Sequence, residues 1–187
     1  MNYALIRKSD IANGPGVRVS LFVSGCRHAC KGCFNREAWD FNYGAPFGEL
    51  EMELILDACD KSHIEGLTIL GGEPFEPENR DGLTELCRRF RKRFPNKTIW
   101  CYSGFVFDAE LLSDSIPQPE TARKLLSQID VLVDGRFVEA LKSPALMFRG
   151  SSNQRIIDVQ RSLAAGETIL LSGKWERTVG GGDIYRL

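Results

Sequence analysis

The sequence predicts an α/β fold with parallel strands, on three observations. Short apolar runs recur near residues 17, 66, 98 and 130, helical periodicity fills the gaps, and the chemically unusual residues stand directly after the runs. Alternating strand and helix builds a parallel sheet. In such sheets ligands bind beyond the carboxyl ends of the strands, so four separate loops are expected to converge on one site.

In order along the chain, Asn13-Gly14-Pro15-Gly16 reads as a turn. It feeds Val17 to Val23, where Val17, Val19, Leu21 and Val23 alternate with Arg18, Ser20 and Phe22, the period of a strand. A helix is expected over residues 49–61, with Leu50, Leu54, Ile55, Ala58 and Cys59 as its apolar stripe. Gly66 to Leu70 is apolar on both faces, as a buried parallel strand should be. The next helix runs from about Asp81 to Phe94, with Leu83, Leu86, Cys87, Phe90 and Phe94 on one face. Arg88, Arg89, Arg91, Lys92 and Arg93 cover much of its remaining surface, either as a solvated face or as a docking patch for an acidic partner. Thr98 to Tyr102 is a third strand leading into Ser103-Gly104, and Asp130 to Val133 a fourth, running into Asp134-Gly135. Between them a short helix near Asp108 to Ser113 and another over Glu120 to Gln128 are expected. A loop-rich stretch, Leu141 to Asn153, precedes strands expected at Ile156 to Val159 and Glu167 to Leu171, and the tail carries a glycine run at Gly180-Gly181-Gly182.

At 187 residues the chain fits one domain and buries enough surface to fold without disulfides. Its 24 basic and 25 acidic residues leave a net charge of −1, which argues against a protein built to neutralise nucleic-acid phosphates. No apolar stretch approaches a membrane span. The residues from Met1 to Lys8 lack the order of a signal peptide. A cytoplasmic setting is expected, with reduced cysteines free to bind metal.

Three of the six cysteines fall within eight residues, as Cys26-x3-Cys30-x2-Cys33. Soft thiolates at this spacing suit zinc, copper(I) or an iron–sulfur cluster. A closed zinc site takes four ligands, as does a cubane held by cysteine alone. Either a fourth ligand completes a zinc knuckle (His28 or a distant cysteine) or one position stays open for chemistry. Cys59 and Cys87 lie on apolar helix faces and read as core.

A second motif, Gly71-Gly72-Glu73-Pro74, follows the strand that ends at Leu70. The pair of motifs resembles the radical S-adenosylmethionine (SAM) enzymes. The likeness narrows with Asp10-Ile11-x-Asn13-Gly14-Pro15-Gly16, Phe22-Val23-Ser24-Gly25-Cys26-x-His28, Gly32-Cys33-Phe34-Asn35 with Trp39, Val131-Leu132-Val133-Asp134-Gly135 and Arg149-Gly150-Ser151-Ser152-Asn153-Gln154. Together these resemble the activating enzymes of anaerobic ribonucleoside-triphosphate reductase, a family of glycyl-radical activases.

The resemblance implies a partial (β/α) barrel of the radical SAM type with mostly parallel strands, over residues 1–158, and a C-terminal extension of unassigned role at 159–187. It implies a [4Fe-4S] cluster on Cys26, Cys30 and Cys33 with one iron left for SAM. Gly32, Cys33, Phe34 and Gly72 would lie against SAM, and Glu73 would either accept a hydrogen bond from its ammonium group or cap a turn. Asp134 and Arg136 would either position the SAM carboxylate or a cation, or be plain turn residues. Reductive cleavage of SAM would yield a 5′-deoxyadenosyl radical, which would take hydrogen from a glycine of the reductase. No acid–base residue is required, so no residue is assigned a catalytic role of that kind. The implied partners are the large subunit of the reductase and an electron donor such as flavodoxin. Another radical SAM enzyme and a zinc-binding adaptor without chemistry are the alternatives.

Overall fold

A computed structural model of the chain describes residues 1–172; the glycine run at 180–182 lies outside them. The strands are β1 (Asn2–Asp10), β2 (Val17–Val23), β3 (Ala45–Pro46), β4 (Ile64–Gly71), β5 (Thr98–Tyr102), β6 (Val131–Asp134) and β7 (Arg155–Asp158). The α-helices are α1 (Glu49–Cys59), α2 (Pro77–Arg93), α3 (Pro119–Leu126) and α4 (Val159–Ala165). One mixed sheet has the order β3-β1-β2-β4-β5-β6-β7. Its centre, β2-β4-β5-β6, is parallel as expected, and β1, β3 and β7 flank it antiparallel. The sheet is open, with β3 and β7 at its edges.

The alternation read in the sequence sorts the two faces. Val19, Leu21, Val23, Leu67, Ile69, Ile99, Cys101 and Leu132 enter the main core with Leu83, Leu86, Cys87 and Phe90 of α2. The opposite face carries a smaller apolar cluster of Trp100, Val131, Val133 and Ile156. It also buries Arg18, whose Nε donates to Thr68 Oγ1 (2.7 Å) and whose guanidinium lies 5.7 Å from the Trp100 ring. Burial pulls this arginine down to about 10. Helices thus cover one face of the parallel centre, and the other is left for a cavity.

Several boundaries differ from expectation for identifiable reasons. β1 carries exposed Leu5, Arg7 and Lys8 and shifts register twice against β2, so it shows no clean period of two. α2 starts four residues early because Pro77 takes its first turn, where a missing N–H costs nothing. On α1 the buried residues are Met52, Ile55, Leu56, Ala58 and Cys59, while Leu50 is 82% exposed and Leu54 39%. Residues 107–111 form a π-type turn. Of the stretch 167–171, Leu170 alone makes a bridge, to Ile157.

The arginines of α2 are not a free patch. Arg88 pairs with Glu85, and Arg89 reaches Glu85, Glu49 and Glu53. Arg91 holds Asp130 (2.9 Å), and Arg93 holds Asp57 (3.0 Å) and Asp60 (2.7 Å). These pairs tie α2 to α1 and to the start of β6.

Candidate functional site

The register of the parallel strands sets the site. Phe22 pairs with Leu70 and Val23 with Gly71, so the cysteine loop and the Gly71-Gly72-Glu73 loop begin side by side. Backbone bonds then stitch them: Gly72 N to Val23 O (2.7 Å), Glu73 N to Gly25 O (2.8 Å) and Gly25 N to Ala38 O (2.8 Å). Asn79 of α2 donates to both Ser24 O (3.0 Å) and Glu73 O (2.9 Å).

The loops after β2, β4, β5 and β6 open on one cavity of about 400 Å³. Cys26, Cys30 and Cys33 line it, as do Gly32 and Phe34. Gly72 and Glu73 stand on the same wall beside Ser103 and Gly104, with Gly135 from the fourth loop. A volume of this size suits a small-molecule ligand.

All six cysteines are free thiols. Cys59, Cys87 and Cys101 are buried in the core, where desolvation pushes Cys59 and Cys87 up to about 12 and Cys101 also well up. That leaves the three cavity thiols. Desolvation, and after it the Glu73 carboxylate, raises Cys26 to about 12, while backbone N–H groups of His28 and Ala29 bond to it. Desolvation also raises Cys30, which receives the N–H of Phe137. Backbone donors aimed at sulfur favour a thiolate. Among the described residues no group of three or more His, Cys, Asp or Glu is arranged to hold a metal ion. The case for these thiols therefore rests on their shared cavity and donors.

The family model for a 4Fe-4S single cluster domain matches residues 12–157. A protein of Pasteurella multocida (strain Pm70) is 41% identical over 158 residues, covering 83% of this chain and 96% of that relative. Relatives from Escherichia coli (strain K12) and Enterobacteria phage T4 are each 40% identical over 156 residues, covering 82% and 83% of this chain and 96% and 93% of their own lengths. All three are named anaerobic ribonucleoside-triphosphate reductase-activating proteins. The chain belongs to this family.

Within this member of the activating-protein family, the geometry assigns several of the expected site residues a structural task as well. A Cβ on Gly72 would come 2.5 Å from Gly25 O and 2.9 Å from Ala38 O. Its glycine is thus already required by the cysteine loop, whatever ligand lies nearby. Glu73 is 1% exposed. Its Oε1 accepts from Phe75 N (2.9 Å) and Ser103 Oγ (2.9 Å), and its Oε2 from Gly104 N (2.7 Å) and His28 Nε2 (3.0 Å). Those four bonds use the acceptor capacity of a carboxylate, so its side chain acts by holding loops together. Asp134 is buried under Arg155 and the Phe107 N–H, and Arg136 bonds to His28 and Glu110; neither lines the cavity. Both ring nitrogens of His28 have protein partners, so His28 is not poised to complete a zinc knuckle.

Tyr102, Lys142 and Arg149 also line the cavity, and the sequence alone assigns none of them a ligand contact. The Tyr102 hydroxyl is buried with no partner among the described residues, as is Arg149 Nε. Burial raises the Tyr102 phenol. Lys142 and Arg149 line the cavity, and neither has an acidic partner among the described residues. Orphaned donors and cations without an acidic partner among the described residues, lining one cavity, fit a polar ligand carrying an anionic group. The alternation of β5, which turns Trp100 and Tyr102 away from the main core, is the signal that could have found Tyr102.

Proposed function

We propose that this chain activates an anaerobic ribonucleoside-triphosphate reductase, using a [4Fe-4S] cluster on Cys26, Cys30 and Cys33 and SAM bound beside it. The observation that carries the reading is the single cavity that gathers the three thiols outside the core and the loops of four neighbouring parallel strands. Bound there, cluster and SAM would supply reductive cleavage of the sulfonium and removal of hydrogen from a partner glycine, leaving a glycyl radical on the reductase.

The protein's own contribution is to hold, orient and exclude water. Cys26, Cys30 and Cys33 would hold the cluster and would leave room beside it for SAM. Gly32, Cys33 and Phe34 present one wall and the Gly72-Glu73 loop another. Lys142 and Arg149 bring positive charge suited to a carboxylate, and the Tyr102 hydroxyl offers a hydrogen bond. On this reading the open sheet is a partial barrel of the radical SAM type and residues 159–187 extend it.

The reductase is the proposed partner because the relatives are named as its activators. Its glycine segment must reach the cavity, whose mouth carries Phe34, 87% exposed. Ordering that segment costs free energy on binding. Flavodoxin is our proposed electron donor, in a cytoplasmic setting; no helix among the described residues is long and apolar enough to cross a membrane. Most of the arginine charge on α2 is spent inside the fold, Arg89 on α1, Arg91 on Asp130 and Arg93 on Asp57 and Asp60. Arg88 is paired with Glu85 of its own helix, which gives docking there no support.

Reconstitution with iron and sulfide without oxygen, followed by reduction with dithionite in the presence of SAM, tests the chemistry. The expected products are 5′-deoxyadenosine and methionine. A fully loaded cluster that yields neither overturns the reading.

A further inference from the structure

His28 stands between Cys26 and Cys30 with its side chain 7% exposed. Arg136 Nε donates to its Nδ1 (3.1 Å), which leaves the ring proton on Nε2, facing Glu73 Oε2 at 3.0 Å. The ring lies edge-on to Phe105 at 4.5 Å between centroids. It also covers Gly104 so closely that a Cβ there would come 2.3 Å from His28 Cδ2. Glu73, in turn, takes the Gly104 N–H and the Ser103 hydroxyl. One imidazole therefore joins the cysteine loop to the loops after β4, β5 and β6.

The next residue, Ala29, is held at φ 48°, in the left-handed region. That conformation is unfavourable for a residue with a Cβ. It persists only where the surroundings fix it: the N–H of Ala29 itself bonds to Cys26, and its neighbours are held too, His28 by Glu73 and Cys30 by the Phe137 N–H.

We propose that His28 is a positioning residue that fixes the cysteine loop against the Gly72-Glu73 and Ser103-Gly104 loops. This rests on the function proposed above and adds the device that aligns the cluster's wall with SAM's. The alignment matters because the electron must pass between two groups carried on different loops. His28 neither ligates metal nor touches the reacting atoms. It acts through Glu73.

The test compares His28→Ala with His28→Gln, whose amide N–H reaches Glu73 in place of Nε2. In metal-free protein, amide exchange over residues 27–33 should quicken at least about tenfold in His28→Ala, as for the loss of one charge-assisted hydrogen bond. His28→Gln should recover most of that protection, and α2 amides should not change in either variant, which separates loop release from unfolding. In reconstituted protein, SAM cleavage should fall in His28→Ala and recover in His28→Gln. Unchanged loop exchange in His28→Ala overturns the anchoring. Quickened exchange with undiminished SAM cleavage overturns the positioning role. Should the wild type itself fail to cleave SAM, the proposed function fails, while the exchange data still decide whether His28 anchors the loop.

Discussion

Arg155 meets Asp134 at 2.5 Å, joining the start of β7 to the end of β6, and its other edge grips Asp108 at 2.9 Å. Arg155 directly follows Arg149 to Gln154 and Asp134 lies within Val131 to Gly135, so the pair helps fasten together two stretches that carry the sequence resemblance. Gln154 adds a bond to Gly135 O (2.9 Å). Their common purpose is to close the fourth loop beside the cavity.

Removing the arginine should be costly, because Asp134 is 1% exposed and would keep only the Phe107 N–H. Arg155→Ala is expected to destabilise the protein by about 2–3 kcal/mol, below the usual range for a buried pair because Arg155 is partly open to water. Urea unfolding at neutral pH measures this, and adding Asp134→Asn should restore part of the loss.

The same group sets an acid response. Hydrogen bonds from Arg155, with a smaller one from Thr168, hold Asp108 down to about 2, against an ordinary value of 3.8. A depressed carboxylate contributes stability above its unfolded value that is lost as pH falls through its folded one. Stability should therefore fall from about pH 4 to pH 2 through this residue, by less than about 1 kcal/mol because it is half exposed. Asp108→Asn should flatten that part of the urea midpoint against pH.

At Gly72 the structure separates two explanations for one glycine. If the requirement comes from Gly25 O and Ala38 O, Gly72→Ala should displace the cysteine loop and cost about 1–3 kcal/mol in the metal-free protein. Iron content after reconstitution should fall along with SAM affinity. Lost SAM binding with normal stability and iron would return Gly72 to a purely cofactor-facing role.

Tyr102→Phe makes the opposite pattern. The mutation removes a hydroxyl buried without a partner among the described residues, so the metal-free protein should gain roughly 1 kcal/mol. If the hydroxyl serves the ligand, SAM affinity should weaken several-fold in calorimetry. A variant less stable than the parent would mean that the hydroxyl is already satisfied.

What the sequence revealed follows from which signals are local. Val17–Val23 and Thr98–Tyr102 were legible to the residue because alternation and flanking turns mark them. The cysteine spacing was legible because its meaning lies within eight residues. β1 was not, since its pairing with β2 and β3 leaves Leu5 exposed and breaks the pattern. Nor was the role of Glu73, whose partners His28, Ser103 and Gly104 lie 30 to 45 residues away. The stretch from Leu141 to Gln154 was legible by position rather than by pattern: it follows the fourth strand, which puts it near the cavity mouth, and Lys142, Phe148, Arg149 and Gln154 do line the cavity.

The cysteines divide into two sets that should behave differently. Cys26→Ala, Cys30→Ala and Cys33→Ala should each abolish cluster absorbance, while Cys59→Ala and Cys87→Ala should leave it and cost about 1–2 kcal/mol. Full iron and sulfide in the Cys30 variant would remove it from the ligand set.

The central claim is the transfer of a radical to a partner, and electron paramagnetic resonance of the mixture tests it most directly. Reconstituted protein, reduced and given SAM, should produce a glycyl-radical doublet when an anaerobic ribonucleoside-triphosphate reductase is added. Replacing the partner's radical glycine with alanine should abolish the doublet while SAM cleavage continues. Cleavage of SAM with no doublet on the intact reductase would contradict the account.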